Sequence, residues 1–204
     1  SFRPVRSGRK GIYEIRWRHA FSGAVVLMDM RDKIAVFCSA RYDIDPEYNE
    51  AARLFVRGAS ARGYKVVSGG TVKGTMGVIS DELVKCGGYH IGVVPRFMAQ
   101  YAYPGLSELI WTDSLAERKT LLRQDTHAVV ALPGGIGTLD EVIDTFSLLY
   151  LKKYDGKVCL LNYNGFYEPL LALLRHYVDQ KMMSGETLDR LVVAETPEEL
   201  LLKL

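Results

Sequence analysis

The 204-residue chain predicts an α/β fold, a parallel sheet covered by helices on both faces. Short runs that are apolar throughout, such as residues 34–38 and 129–132, read as strands buried on both sides, because a strand with one wet face alternates apolar and polar residues. Between these runs lie stretches whose apolar residues recur at helical spacing. Glycine turns close two of the runs, Ser68-Gly69-Gly70 and Pro133-Gly134-Gly135-Ile136-Gly137. In such sheets ligands bind beyond the carboxyl ends of the strands, where these turns fall.

Residues 1–32 read as an amino-terminal extension punctuated by Gly8, Gly11 and Gly23, within which 24–28 could form a strand. The regular pattern, read as one domain, runs from 33 to 204. Its first strand is 34–38. Asp45-Pro46-Glu47 opens a helix with Asp45 as N-cap and Pro46 at the first helical position, where proline's missing N–H is not needed. Tyr48, Ala51, Ala52, Phe55 and Val56 form its apolar face, and Gly63 ends it. Strand 64–67, helix 76–85 closed by Gly87-Gly88, and strand 90–94 ended by Pro95 follow. The spacing leaves 96–113 irregular. Helix 115–124, strand 127–132, helix 138–151, strand 157–161, helix 167–181, strand 191–193 and helix 197–203 complete the series.

Composition narrows the function. A hydrophobic content of 48% excludes a disordered chain. No apolar run approaches the roughly 20 residues that span a bilayer, so no membrane partner is expected. Cys38, Cys86 and Cys159 are an odd number at wide spacing, with no CxxC or zinc pattern. They read as reduced packing residues of a cytoplasmic protein. The net charge of +2 hides an asymmetry: residues 1–20 hold six basic side chains against Glu14 alone, and the remainder balances at −3. A basic arm can touch nucleic acid. The plainer reading, a solvated extension or residues upstream of a start at Met28 or Met30, is preferred, so no nucleic-acid partner is expected. The arm lacks the apolar core of a secretory signal.

Chemistry concentrates in three places. In the 133–138 turn, Gly134, Gly135 and Gly137 let backbone approach a ligand, and the N–H groups that open the following helix favour an anion beside Thr138. Glu141 sets a carboxylate nearby. The same residues also fit a tight turn needing positive φ, closed by a Thr138-x-x-Glu141 capping box. The turn is neither a Walker loop nor a GxGxxG fingerprint. Arg118 and Lys119 are the second place. Ser114-Leu115-Ala116-Glu117 opens a helix whose inward face, set by Leu115 and Leu122, carries cations where apolar residues belong. A charge turned inward needs a partner, and Arg118 suits a phosphate or carboxylate; the other reading rotates both cations to water. The third place is the loop 68–77, where Gly69 and Gly70 can face a ligand and Lys73 can reach a phosphate or stay solvated. Ser39, after the first strand, can donate to a ligand. His19, His90, His127 and His176 are scattered and read as structural, and no metal-ligand pattern is present.

The segment Pro133-Gly134-Gly135-Ile136-Gly137-Thr138-Leu139-Asp140-Glu141 resembles the PGGxGTxxE motif of the Lonely Guy (LOG) family, the cytokinin riboside 5′-monophosphate phosphoribohydrolases also labelled "possible lysine decarboxylase". Arg118-Lys119 resembles that family's Arg-Lys pair, and Gly69-Gly70 with Met76-Gly77 its glycine loop. The segments Val36-Phe37-Cys38 and Asn164-Gly165-Phe166-Tyr167 also look alike. The resemblance covers about residues 33–204 and implies a Rossmann-like fold. It implies hydrolysis of the N-glycosidic bond of a nucleoside 5′-monophosphate, AMP or a cytokinin riboside 5′-monophosphate, giving free base and ribose 5-phosphate. Glu141 and Arg118 would be catalytic. Gly134, Gly135, Gly137, Thr138, Lys119, Gly69, Gly70, Met76 and Ser39 would bind substrate. It implies no metal, no cofactor, and a homodimer or larger assembly. This chain departs from the pattern at Cys38-Ser39-Ala40-Arg41, at Ser68 in place of a third glycine, and at Leu115-Ala116 in place of Met-His. The alternative is a non-catalytic nucleotide-binding protein of the same outline, such as a molybdenum-cofactor carrier, which has no need of Glu141. Lysine decarboxylation would need a pyridoxal phosphate lysine, for which no motif is found.

Overall fold

The computed structural model describes residues 32–204; the 24–28 strand reading and His19 lie outside the described residues. In chain order the elements are β1 (Lys33–Phe37), α1 (Pro46–Ala61), β2 (Lys65–Ser68), α2 (Gly74–Cys86), β3 (His90–Pro95), β4 (Glu108–Thr112), α3 (Leu115–Arg123), β5 (Ala128–Ala131), α4 (Ile136–Tyr150), β6 (Lys157–Leu161), α5 (Glu168–Asp179), α6 (Gly185–Leu188), β7 (Leu191–Ala194) and α7 (Pro197–Lys203). Tight helical turns occupy Arg96–Tyr101 and Tyr163–Gly165.

The strands form one seven-stranded sheet in the order β4-β3-β2-β1-β5-β6-β7, with every neighbouring pair parallel. This is the Rossmann-like α/β architecture the sequence predicts. Alternation across the pleat explains why the central strands are apolar throughout. In β1 and just after it, Ile34, Val36 and Cys38 pack into one core, with Phe55 of α1, Ile79 and Leu83 of α2 and Leu200 of α7. Ala35 and Phe37 pack into the other, with Leu122 of α3, Val142 and Phe146 of α4 and Leu171 of α5. Phe55 is fully buried, so its truncation to alanine costs about 3–5 kcal/mol.

Local signals place the helix starts. Asp45 accepts from Glu47 N–H at 2.9 Å, and Pro46 leads α1. Ser114 accepts from Glu117 N–H at 3.1 Å to open α3. Four readings are corrected. Residues 96–113 are not irregular: β4 lies there, and its exposed Glu108 and Leu109 hide it, because an edge strand pairs on one side only. The 167–181 helix is α5, starting at Glu168, and the short α6 follows it. Leu115 is exposed, so the inward face of α3 is set by Leu122 without it. Finally, α4 begins at Ile136, two residues early, with Gly135 as N-cap. Among the described residues no helix is long and apolar enough to cross a membrane.

The strand order reverses at β1. Its neighbours are β2 on one side and β5 on the other, so the connections from their carboxyl ends leave in opposite directions and open a crevice. Cys38-Ser39 and Leu132-Pro133-Gly134 form its two lips, joined where Leu132 N–H donates to Phe37 O at 2.9 Å.

At the opposite end, His90 is buried at the start of β3, and burial pushes its imidazole down to about 4. It folds neutral. Below the ordinary 6.5, the unfolded chain takes up a proton that the folded chain refuses, so stability is lost as pH falls from 6.5 through about 4. The urea midpoint should fall across that window, with about 2–4 kcal/mol attributable to this residue. His90→Gln should flatten the dependence; an unchanged slope would assign it to other groups.

Candidate functional site

The crevice is walled by α4 and α3. Helix α4 starts at the end of β5 with its amides facing the crevice mouth. Among the described residues no side chain caps it, and Thr138 and Glu141 form no capping box. Thr138 instead lies in the first turn, buried, with its hydroxyl against Gly134, where a Cβ would overlap it. None of Gly134, Gly135 and Gly137 has positive φ, so the strained-turn reading is also corrected. A Cβ at Gly135 or Gly137 would meet nothing within 4 Å. The protein's own packing therefore does not require glycine at these two positions; their bareness leaves space over the open amides of a 15-residue helix.

Glu141 lies in the second turn of α4 and is 12% exposed; Arg118, on α3, is 17% exposed. Arg118 Nη1 donates to Glu141 Oε1 at 3.0 Å, and Arg118 Nε donates to the Val93 carbonyl at 3.1 Å. Arg118 and Lys119 both face protein, as the inward reading expects. Burial pushes the Glu141 carboxyl above the usual carboxylate range; Asp140 adds to this, while Arg118 and Lys119 pull the other way. Cys38 stands beside the pair, its thiol raised by burial and by the Glu141 charge.

Lys119 lies 3.1 Å from Asp140 and 3.4 Å from Asp144, and Arg123 lies 2.7 Å from Asp144. Cations at i and i+4 on α3 therefore meet acids at i and i+4 on α4. Sequence reading missed this lattice, although the two complementary stripes are legible once the helices are paired. It also missed the Val93 carbonyl, and Tyr167, whose hydroxyl donates to the Leu132 carbonyl at 2.7 Å beneath the 133–137 turn.

Gly69 and Gly70 are buried at the end of β2. A Cβ on Gly69 would overlap Arg118 Nη2 and stand 2.6 Å from Met76 Sδ, so this glycine is the surface on which the guanidinium rests. Gly70 has φ +61, and a Cβ there would lie 2.6 Å from Gly92 Cα. Met76 sits beneath the loop in the core. Lys73 lies over the Tyr101 ring, 3.5 Å from its centroid. Ser39 is buried, and its Oγ accepts Arg41 N–H at 3.0 Å. Among the described residues no three His, Cys, Asp or Glu side chains cluster as metal ligands.

A protein-family model described as "Possible lysine decarboxylase" matches residues 76–204. The chain belongs to this family, the LOG family. Among its curated relatives, a LOG protein named cytokinin riboside 5′-monophosphate phosphoribohydrolase, from Mycobacterium marinum, is 32% identical over 170 residues, 82% of this chain and 90% of the relative. A rice LOG relative, named a probable enzyme of the same activity, is 31% identical over 183 residues, 89% of this chain and 75% of its own. Solved structures share the fold. The molybdenum cofactor binding protein of Rippkaea orientalis has a TM-score of 0.64 at 23% identity, covering 83% of this chain and 93% of that one. The molybdenum cofactor carrier protein of Chlamydomonas reinhardtii has a TM-score of 0.64 at 20% identity, covering 84% and 94%.

The two loop glycines should respond differently to alanine. Gly70→Ala drives a Cβ into backbone at positive φ and should lose more than about 2 kcal/mol in urea unfolding. Gly69→Ala meets only the ends of flexible side chains, so the fold should survive. A crystal structure of that variant should show Arg118 moved away from Glu141.

Proposed function

We propose that this LOG-family chain is a nucleoside 5′-monophosphate phosphoribohydrolase, releasing free base and ribose 5-phosphate from AMP or a cytokinin riboside 5′-monophosphate. One observation carries the reading: an uncapped helix N-terminus and a buried Arg118–Glu141 pair lie at the same crevice. Ile136 and Glu141 are five residues apart, a rise of about 8 Å along the helix, on the scale of a ribose phosphate. The amides of residues 136–138 would take the 5′-phosphate, with Gly135 and Gly137 leaving it room.

Departure of the base leaves positive charge on the sugar, as in other glycoside hydrolysis. The Glu141 carboxylate would stabilise that charge, hold a ribose hydroxyl or orient the attacking water. Arg118 would keep Glu141 ionised despite burial and lie beside the departing base. Anchoring by the phosphate turns a weak encounter into a fixed geometry at the acid. Lys119 acts through Asp140 and Asp144 to hold α3 against α4. The free thiols of Cys38, Cys86 and Cys159 fit a reducing, cytoplasmic setting.

The outer face of α4 supports pairing with a second copy. Ile136 is 83% exposed, and Ile136, Leu139, Ile143 and Leu148 line a shallow groove of about 520 Å³ on the helix that carries Glu141. A homodimer built there would set each crevice beside the partner. Light scattering should report a dimer, and Ile136→Glu should shift it toward monomer.

Purified protein should release adenine from AMP and none from adenosine. Glu141→Gln and Arg118→Ala should each lower turnover by about 10²–10⁴-fold. Nucleotide binding with no base release by the native chain would point to a carrier and overturn the reading. Because burial raises the Glu141 carboxyl, activity should fall on its acid side at a pH above the ordinary carboxylate range, as the carboxylate takes up a proton.

A further inference from the structure

Ser68 and His90 take no part in the chemistry above, yet both are almost fully buried. Ser68 ends β2 and His90 begins β3. Val66 pairs with His90 and Ser68 with Gly92, so the two side chains stand diagonally on one face of the sheet. Ser68 Oγ lies 2.7 Å from His90 Nε2 and accepts Gly70 N–H at 3.1 Å. Ser68 Oγ and His90 Nε2 share one hydrogen bond while a hydroxyl lone pair takes the Gly70 N–H, so the serine bridges the histidine and the loop.

The backbone of His90 is fixed in turn. Its N–H donates to Ser107 Oγ at 3.1 Å, and its carbonyl accepts Ser107 N–H at 2.9 Å. At the other end, Gly70 is pressed against Gly92 at positive φ, and Gly69 is the surface under the Arg118 guanidinium. The loop is also tied to the 101–103 segment, where Val72 N–H donates to the Tyr101 carbonyl and Tyr103 N–H to the Gly70 carbonyl, each at 2.9 Å. That segment holds the outer side of the loop. Ser68 is the hold on its inner side, at the position where the sequence departs from a run of glycines.

We propose that Ser68 and His90 are positioning residues: through the Gly70 N–H they lock the Gly69-Gly70 backbone in the conformation on which Arg118 rests and from which it reaches Glu141. The proposal rests on the reading of Arg118 and Glu141 as the working pair. A side chain that only filled space at position 68 would leave the Arg118–Glu141 contact alone. A positioning hydroxyl would not, because its loss frees the loop and loosens the guanidinium.

The readout is the titration of the Glu141 carboxyl itself, followed by carbon NMR on side-chain-labelled protein without substrate. The charged and titratable groups facing that carboxyl are Arg118 and Lys119 from α3, Asp140 from α4 and Cys38 after β1. Ser68→Ala alters none of them directly. Arg118 stabilises the ionised form, so loosening it should move the Glu141 titration upward by about 0.5–1 pH unit. Ser68→Thr, which keeps the hydroxyl, should restore the native titration. His90→Leu removes the anchor by a separate route, should shift the carboxyl the same way, and serves if Ser68→Ala does not fold. With AMP, Ser68→Ala should lose about tenfold in kcat with little change in KM, because the phosphate contacts remain. An unmoved Glu141 titration in a folded Ser68→Ala or His90→Leu protein overturns the proposal, whatever the activity. A shifted titration in a protein whose native form releases no base leaves the positioning role standing and removes the phosphoribohydrolase reading instead.

Discussion

Two opposite charges, Arg118 and Glu141, are held almost out of water between α3 and α4. Desolvating each costs several kcal/mol, and their mutual attraction offsets this only when geometry is good and the remaining hydrogen-bonding groups are met. The surroundings supply those conditions. The Val93 carbonyl takes a second guanidinium N–H, Gly69 gives the guanidinium a surface to lie against, and the Lys119–Asp140–Asp144–Arg123 lattice fixes the spacing of the two helices. The carboxyl remains under strain from burial, which keeps its proton affinity high.

The sheet order makes such a place available. Helices α1, α2 and α7 gather on one face, and α3, α4 and α5 on the other. The chain crosses from the β4 edge to the sheet centre through α3, which brings that helix beside α4. Arg118 and Glu141, far apart in sequence, meet because β5 is inserted next to β1 and not next to β4. The glycine loop after β2 meets the same crevice from the other side. Three separate connections therefore contribute to one site, each from the carboxyl end of a strand.

Much of this was readable from the residues alone. Apolar strands gave the parallel sheet, Asp45 and Ser114 gave helix starts, and inward cations on 115–124 signalled that Arg118 needed a partner. What stayed hidden was tertiary. Strand β4 escaped because only one of its edges is paired. Thr138 and Glu141 matched a capping box locally, yet Gly135 starts the helix and Arg118 claims the carboxylate, so a long-range ion pair overrode a short-range pattern. Leu115 matched an inward spacing that α3 does not use: it is exposed, and Leu122 is the residue the helix buries. The Ser68–His90 contact joins the carboxyl end of one strand to the amino end of the next, and no spacing rule within a single element reveals such a diagonal.

Helix α4 has almost no idle surface. Its open end faces the crevice, Val142, Phe146 and Leu149 fill a core, Asp140 and Asp144 engage α3, and Ile136 with Ile143 looks outward. In most helices a solvent-facing stripe absorbs substitutions freely and lets sequence drift. Here Asp140, Val142, Asp144, Phe146 and Leu149 each answer to a neighbour, so a change at any of them calls for a matching change across the contact. An engineer seeking a new substrate would do better to vary the loops that face this helix.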